Sequence, residues 1–376
     1  MNRLSDKEAI DLLKHGDILE LGQQANKIRQ EKHPGNTVTF IVDRNINYTN
    51  VCLNECRFCA FFRRENRKDA YLLPIETILQ KVKETQEAGG TQVMLQGGLH
   101  PSLPFEYYLN MINTIKTAFP DIVIHSFSPA EILHFSKIAN KSIKETLQDL
   151  RSAGLASLPG GGAEILVDRV RKIVSPKKIM TDDWLKVMET AHSIGMESTA
   201  TMVLGLGETI EERIEHMRRV RDLQDKTGGF RAFIMWTFQP GNTQLGGNKL
   251  SSWEYLKTLA VSRLYFDNIS HIQGSWVTQG QQIGQITLAF GADDLGSIML
   301  EENANYRERV QKKQITMIIY FMMFLLMPAC YLLLSHAVEL QKRTDQNKIL
   351  KVLSFPFGLL VPIALFITLL ACSMVA

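Results

Sequence analysis

Cys52, Cys56 and Cys59 stand in one short stretch, Asn50-Val-Cys-Leu-Asn-Glu-Cys-Arg-Phe-Cys-Ala-Phe-Phe62, at C-x3-C-x2-C spacing. Three thiolates this close on one loop can converge on a single centre. Soft sulfur ligands select an iron–sulfur cluster, zinc or copper(I). A [4Fe–4S] cube held at three irons leaves its fourth iron open to bind and activate a small molecule. Phe58 before the last cysteine, with Ala60 and Phe61 after it, gives the loop an apolar wrapping. A zinc site completed by a histidine, or a disulfide pair with a spare thiol, fits the same spacing.

The elements around this loop must position it. The chain has 376 residues, enough for two domains or for one α/β barrel of about 250 residues. Hydrophobic residues at 45% and charged residues at 22% are ordinary for a globular protein. A net charge of +3 argues against a dedicated nucleic-acid surface. Of five cysteines, Cys330 and Cys372 lie far from the motif in an apolar tail, so there is no disulfide framework. The polar opening Met1-Asn-Arg-Leu-Ser-Asp does not read as a signal peptide, and a reducing cytoplasm is expected for the main domain.

Residues 5–32 read as helical with a break near Gly16-Asp17, and Ser5 with Glu8 forms a capping box. Thr37 to Val42 is a β-branched run of strand length leading into the cysteine loop. Strands are expected at 91–95, 121–125, 154–158, 197–204, 230–238, 269–276 and 285–290. Helices are expected at 74–88, 105–119, 129–138, 142–153, 164–174, 182–195, 209–226 and 252–266. Seven or eight βα units imply an α/β fold with a parallel sheet, a closed or nearly closed TIM-like barrel. The cysteines then sit past the C-terminal end of a first strand, where such folds keep their chemistry.

The cysteine spacing with its aromatic resembles the signature of the radical S-adenosylmethionine (SAM) enzymes. The resemblance implies a (βα) barrel with a [4Fe–4S] cluster on Cys52, Cys56 and Cys59, whose open iron chelates the amino and carboxylate groups of SAM. It assigns Gly97 and Gly98, at a strand end, to the methionine amino group; a plain helix-breaking turn is the alternative. Pro159-Gly-Gly-Gly-Ala-Glu-Ile-Leu166 is a second such loop, in which Glu164 contacts the ribose or methionine part of SAM or merely faces a helix dipole as a first-turn residue. Gly205, in Gly205-Leu-Gly207-Glu208, would pack against the adenine.

Further segments narrow the resemblance to the futalosine branch of that superfamily. They are His33-Pro-Gly-Asn36, Val42-Asp-Arg-Asn-Ile-Asn-Tyr-Thr-Asn50, Pro159 to Leu166, Thr209 to His216, Trp236-Thr-Phe-Gln-Pro-Gly-Asn242 and Ser275-Trp-Val-Thr-Gln-Gly280. Asp43-Arg-Asn-Ile-Asn47 favours the cyclase of that branch over the aminofutalosine-forming enzyme. The implied reaction takes dehypoxanthine futalosine, with an external electron donor, to its cyclic product in menaquinone biosynthesis. A 5′-deoxyadenosyl radical removes hydrogen from ribose C4′, and the carbon radical adds to the benzoate ring. Trp236, Phe238 and Trp276 would suit an aromatic substrate, or serve as barrel core. Arg44, Gln239, Asn242, His271, Gln273 and Gln279 are candidates for its carboxylate and hydroxyls, and His100 for a base.

The resemblance is placed at residues 5–303, giving an N-terminal helical segment at 1–36, a barrel at 37–303 and an atypical tail at 304–376. Within the tail, 315–335 and 352–376 are uncharged and long enough to span a bilayer, which takes about 20 residues. They predict a helical hairpin of two transmembrane segments that tethers a cytoplasmic catalytic domain, unless the tail is a fusion or reading-frame accident. A different class stays open as well: a membrane-anchored zinc or iron–sulfur protein without catalysis.

Overall fold

The computed structural model describes residues 3–301 apart from Asn36 and Met299. The expected spans 315–335 and 352–376 lie outside the described residues. Among the described residues, no helix is long and apolar enough to cross a membrane.

Two helices open the chain, α1 (Asp6–His15) and α2 (Ile18–Lys32). The Ser5/Glu8 capping box forms as expected, and Asp17 caps α2 by accepting from the Leu19 and Glu20 amides. The barrel elements follow in order: β1 (Thr39–Ile41), β2 (Asp43–Ile46), α3 (Ile75–Glu87), β3 (Gln92–Leu95), α4 (Phe105–Ala118), β4 (Val123–Ile124), α5 (Pro129–Ala139), α6 (Ile143–Ala153), α7 (Asp168–Val174), α8 (Thr181–Ser193), β5 (Ser198–Leu204), α9 (Ile210–Thr227), β6 (Phe230–Thr237), α10 (Ser252–Tyr265), β7 (His271–Gln273), α11 (Trp276–Gln279), α12 (Gln281–Ile286) and β8 (Asp294–Ser297).

All strand pairings are parallel, and together they close a ring. One sheet runs β1-β8-β7-β6-β5 and the other β2-β3-β4. The parallel bridges His125↔Ser157 and Leu158↔Ser198 make residues 157–158 the stave between β4 and β5. At the other junction β1 and β2 are one strand path, pairing with β8 before Val42 and with β3 after it. Ile298 N donates to Ile41 O at 3.0 Å to complete that seam.

Strand side chains alternate between two environments. Ile46, Val93, Leu95, Phe233, Met235 and Ile272 point outward and are buried under the helices. Each contributes about 1.5–3 kcal/mol on full burial. Ile41, Asp43, Gln92, Met94, Ile234 and Trp236 point inward and line the lumen. This second set mixes the polar Asp43 and Gln92 with apolar and aromatic side chains, and it lines a ligand-sized space rather than a filled core.

Two expected elements are corrected. Residues 285–290 are not a strand; they belong to α12 and a 3₁₀ turn at Thr287–Phe290. Their apolar run has strand length, but its end packs against α2, with the Phe290 ring over Gly22, while Ile286 stays exposed. The last stave is instead Asp294-Leu-Gly-Ser297, weak in strand propensity and held by neighbours on both sides. The helix expected from 164 begins at Asp168, which leaves Glu164 in a loop with φ of 41°.

Candidate active site

Parallel strands deliver every following loop to the same end of the barrel. The cysteine loop follows β2, Gly97-Gly98 follows β3, the Glu164 loop follows the 157–158 stave, and Gly205 follows β5. The Cys52 amide donates to Arg63 O at 3.0 Å, and the Cys59 amide donates to Cys56 O at 3.1 Å. All three thiols are free, with Cys56 buried and the other two half-buried. Burial raises the Cys52 thiol, and it pushes Cys56 up to about 12. Thiols so placed keep their protons until a metal displaces them.

Gly97 and Gly98 are where β3 meets this loop at closest range. A Cβ on Gly98 would stand 2.6 Å from Cys52 Cβ and closer still to Val51 O; one on Gly97 would come within 2.6 Å of Tyr48 Cε2. Only glycine lets the two backbones touch here. Leu99 N then lies 3.4 Å from Cys52 Sγ as a donor, and Glu131 takes the Gly97 amide at 3.1 Å and the Tyr48 hydroxyl at 2.9 Å. The Ser128-Pro-Ala-Glu131 capping box is the sequence signal that could have marked Glu131.

Glu164 is 5% exposed and engaged by two cations, Lys178 at 2.8 Å and Arg171 at 3.4 Å. Burial lowers the Lys178 ammonium, but the Glu164 carboxylate and Cys56 together outweigh it and hold it above the ordinary lysine value. Lys178 also lies 5.7 Å over the Phe58 ring. Neither Lys178 nor Arg171 stood out in the sequence, since only the fold brings α7 and the segment before α8 onto the loop. Gly205 turns the chain with φ of 90°, its amide donating to Glu208 at 2.9 Å.

The other candidates separate. His271, Gln273, Trp236 and Trp276 line a lumen cavity of about 440 Å³. Arg44 does not: the strand alternation turns it outward, to Glu84 at 2.6 Å and Glu301 at 2.9 Å. Gln279 and Gln239 donate to Thr237, and Phe238 is buried with the apolar core. Asn242 lines a second cavity of about 370 Å³ beside Cys59, with Arg63, Arg64 and Arg67. His100 is nearly buried, and its Nδ1 accepts from the Ser102 amide at 3.2 Å, so it serves the turn.

A three-cysteine loop at the C-terminal mouth of a closed parallel barrel, over a lumen that sets a few polar groups among apolar walls, defines the class. Residues 46–220 match the radical SAM superfamily and residues 227–316 the CofH/MqnC C-terminal region, and the chain belongs to the radical SAM superfamily. Enzymes of this superfamily use a [4Fe–4S] cluster and SAM. The chain is 47% identical over 305 residues to the cyclic dehypoxanthine futalosine synthase of Streptomyces coelicolor, covering 80% of this chain and 76% of that one. It is 40% identical over 306 residues to the aminodeoxyfutalosine synthase of Thermus thermophilus, covering 80% and 82%. Its fold is similar to that of methylornithine synthase, with a TM-score of 0.66 at 23% identity over 82% of this chain and 88% of the other. The C-terminal-region match continues to residue 316, past the Asn303 at which the sequence resemblance is placed.

Proposed function

We propose that the chain is a radical SAM cyclase of the futalosine route to menaquinone, converting dehypoxanthine futalosine to its cyclic product. The observation that carries this is the 47% identity to a synthase of that name, against 40% to the aminodeoxyfutalosine enzyme. Cys52, Cys56 and Cys59 are the cluster ligands. Their fit to an iron–sulfur cluster rests on the donor set: soft sulfur in an apolar setting, with the Leu99 amide aimed at one thiol and the Lys178 ammonium near another. When bound, the cluster and SAM supply a 5′-deoxyadenosyl radical.

The residues of the chain do the rest by holding and shielding. Gly97 and Gly98 let the β3 loop approach the cysteines and offer carbonyl oxygens to the methionine ammonium. Glu164, fixed by Lys178 and Arg171, contacts the ribose or methionine part, and Gly205 gives room to the adenine. Trp236 and Trp276 wall the lumen for the aryl group. Hydrogen leaves ribose C4′ of the substrate, and the reducing electron comes from an external donor.

Anaerobic reconstitution with reductant and dehypoxanthine futalosine should give 5′-deoxyadenosine and cyclic product in matching amounts. Deuterium placed at C4′ should appear in the 5′-deoxyadenosine. Turnover of the aminodeoxyfutalosine precursor in place of this substrate would move the assignment to the other enzyme.

The domain reading is the helical segment at 1–36, the barrel at 37–303 and the tail at 304–376, with the apolar spans 315–335 and 352–376 tethering a cytoplasmic barrel to a membrane. Two uncharged stretches of spanning length support it. Carbonate extraction should leave the full chain in the membrane pellet and release a chain ending at residue 316; a full chain found in the supernatant would overturn the tether.

A further inference from the structure

Arg231 is the one lysine or arginine among the residues lining the lumen cavity. A bulge puts it there. Along β5 and β6 the pairing runs Ser198↔Phe230 and then Thr199↔Ala232, so Arg231 is an extra residue without a partner in the ladder. Bulges re-aim side chains, and here two successive residues, Arg231 and Ala232, both line the lumen.

The only side-chain partner of Arg231 among the described residues is His125, with Nη2 3.3 Å from the imidazole Nδ1. Ser157 Oγ lies 2.7 Å from the same nitrogen. A guanidinium can only donate, so Nδ1 accepts and the ring proton sits on Nε2. No described residue takes that proton. Burial, with Arg231 adding, holds His125 down to about 3, so the ring stays neutral. Burial also lowers Arg231, while Glu197 and Asp294 support its charge from beyond ion-pair distance.

The two carboxylates on the cavity wall are already held. Asp43 accepts from Gln92 at 3.0 Å and from Ser297; Asp294 accepts from Thr39 at 2.6 Å and the Gly296 amide at 2.7 Å. The lumen thus contains a planar cation with spare donors, an adjacent imidazole N–H and, farther along the same strand, the Trp236 side chain.

We propose that Arg231 and His125 form the recognition site for the carboxylate of an aryl carboxylate substrate. The inference rests on the cyclase reading, whose substrate carries a benzoate. It replaces Arg44, whose guanidinium is turned away from the cavity. The guanidinium fork matches a carboxylate in two parallel hydrogen bonds, and the His125 Nε2–H supplies a third donor. A neutral amide isostere keeps the ring but loses the charge.

The test uses reconstituted, cluster-loaded enzyme, with 3-fluorobenzoate and 3-fluorobenzamide as probes followed by fluorine NMR. Wild type should bind the benzoate about 10- to 100-fold more tightly than the amide, the span expected for hydrogen bonds to a charged group. Arg231→Gln should abolish that preference and Arg231→Lys should keep part of it, with iron content and Tm checked for each. The KM for dehypoxanthine futalosine should rise at least about tenfold in R231Q and by less in R231K. No benzoate preference in wild type, or an R231Q protein of normal iron content that keeps it, would overturn the site. If wild type ignores dehypoxanthine futalosine yet binds the benzoate through Arg231, the carboxylate site stands and the cyclase reading falls.

Discussion

At the end of the barrel where the strands begin, His33, His271, Asp293 and Arg263 meet in a closed network. Asp293 accepts from His271 Nδ1 at 2.6 Å and the Ile272 amide at 2.8 Å, and pairs with Arg263. Arg263 also donates to Gly291 O at 2.7 Å and Ser270 O at 2.9 Å. His33 stacks on His271 with ring centres 4.7 Å apart and shares Ser270 O at 2.8 Å. At the opposite end the thiols are free, and Lys178 and Arg171 bring two positive charges to the one carboxylate of Glu164. His33, His271 and Asp293 are the trio of ligand-type atoms that lies mutually within 4.8 Å among the described residues. Yet a buried guanidinium already neutralises its carboxylate. What separates a site from a structural clamp is therefore spare capacity: the Asp293 network has spent its donors and acceptors on itself, and the three thiols have not.

That contrast can be broken most decisively at the cysteines. Replacing Cys52, Cys56 or Cys59 with Ala should reduce iron and sulfide after reconstitution to background and abolish 5′-deoxyadenosine formation, with little change in Tm. A protein that retained iron in all three variants would put the cluster elsewhere. Gly98→Ala comes next, because its new Cβ would strike Cys52 and Val51. Cluster loading and turnover should fall together, by about a hundredfold, while Gly241→Ala, with nothing within 4 Å, should be close to wild type.

The floor should behave in the opposite way. Arg263→Met leaves Asp293 charged and buried, and should cost about 3–5 kcal/mol of stability in denaturant unfolding. Cluster loading in the folded fraction should not change. The most gradual effect is one of pH. Burial holds His125 and His216 to about 3 in the folded state, below the ordinary value of about 6.5. As pH falls below about 6.5 the unfolded chain takes up these protons and the folded one does not. Stability should then fall with decreasing pH, each histidine contributing up to about 1.4 kcal/mol per pH unit until its folded value is reached. His216→Gln should flatten the slope of unfolding free energy against pH between 6 and 4 by about one proton; an unchanged slope would mean the ring is charged when folded.

Much of this was legible in the sequence because the signals were local. Three cysteines in eight residues, a capping box at Ser5 and strand-length runs ending in Gly97-Gly98 or Gly205 all act over one or two turns of chain. The barrel itself followed from alternation of period. What stayed hidden depends on register and on contacts distant in sequence. Arg231 lines the lumen only because of a bulge, which composition does not encode. Arg44 is turned outward by strand phase, and Lys178 reaches Glu164 only once α7 has folded back. The run at 285–290 reads as a strand in the sequence because a short apolar segment fits a strand and a surface-packed helix equally well.

The first strand path, which pairs with β8 through its first half and with β3 through its second, has a consequence for how the chain is made. Thr39 finds its partner in Asp294, 255 residues later. At ribosomal rates of about 5–20 residues per second, that edge waits about 10 to 50 seconds for its neighbour to be synthesised. During that time an open row of backbone donors and acceptors is available to any other strand. The two half-sheets can form as they emerge, but the ring locks only when its last stave arrives. Nascent chains stalled before residue 294 should therefore be the ones that chaperones hold and that aggregate when they do not.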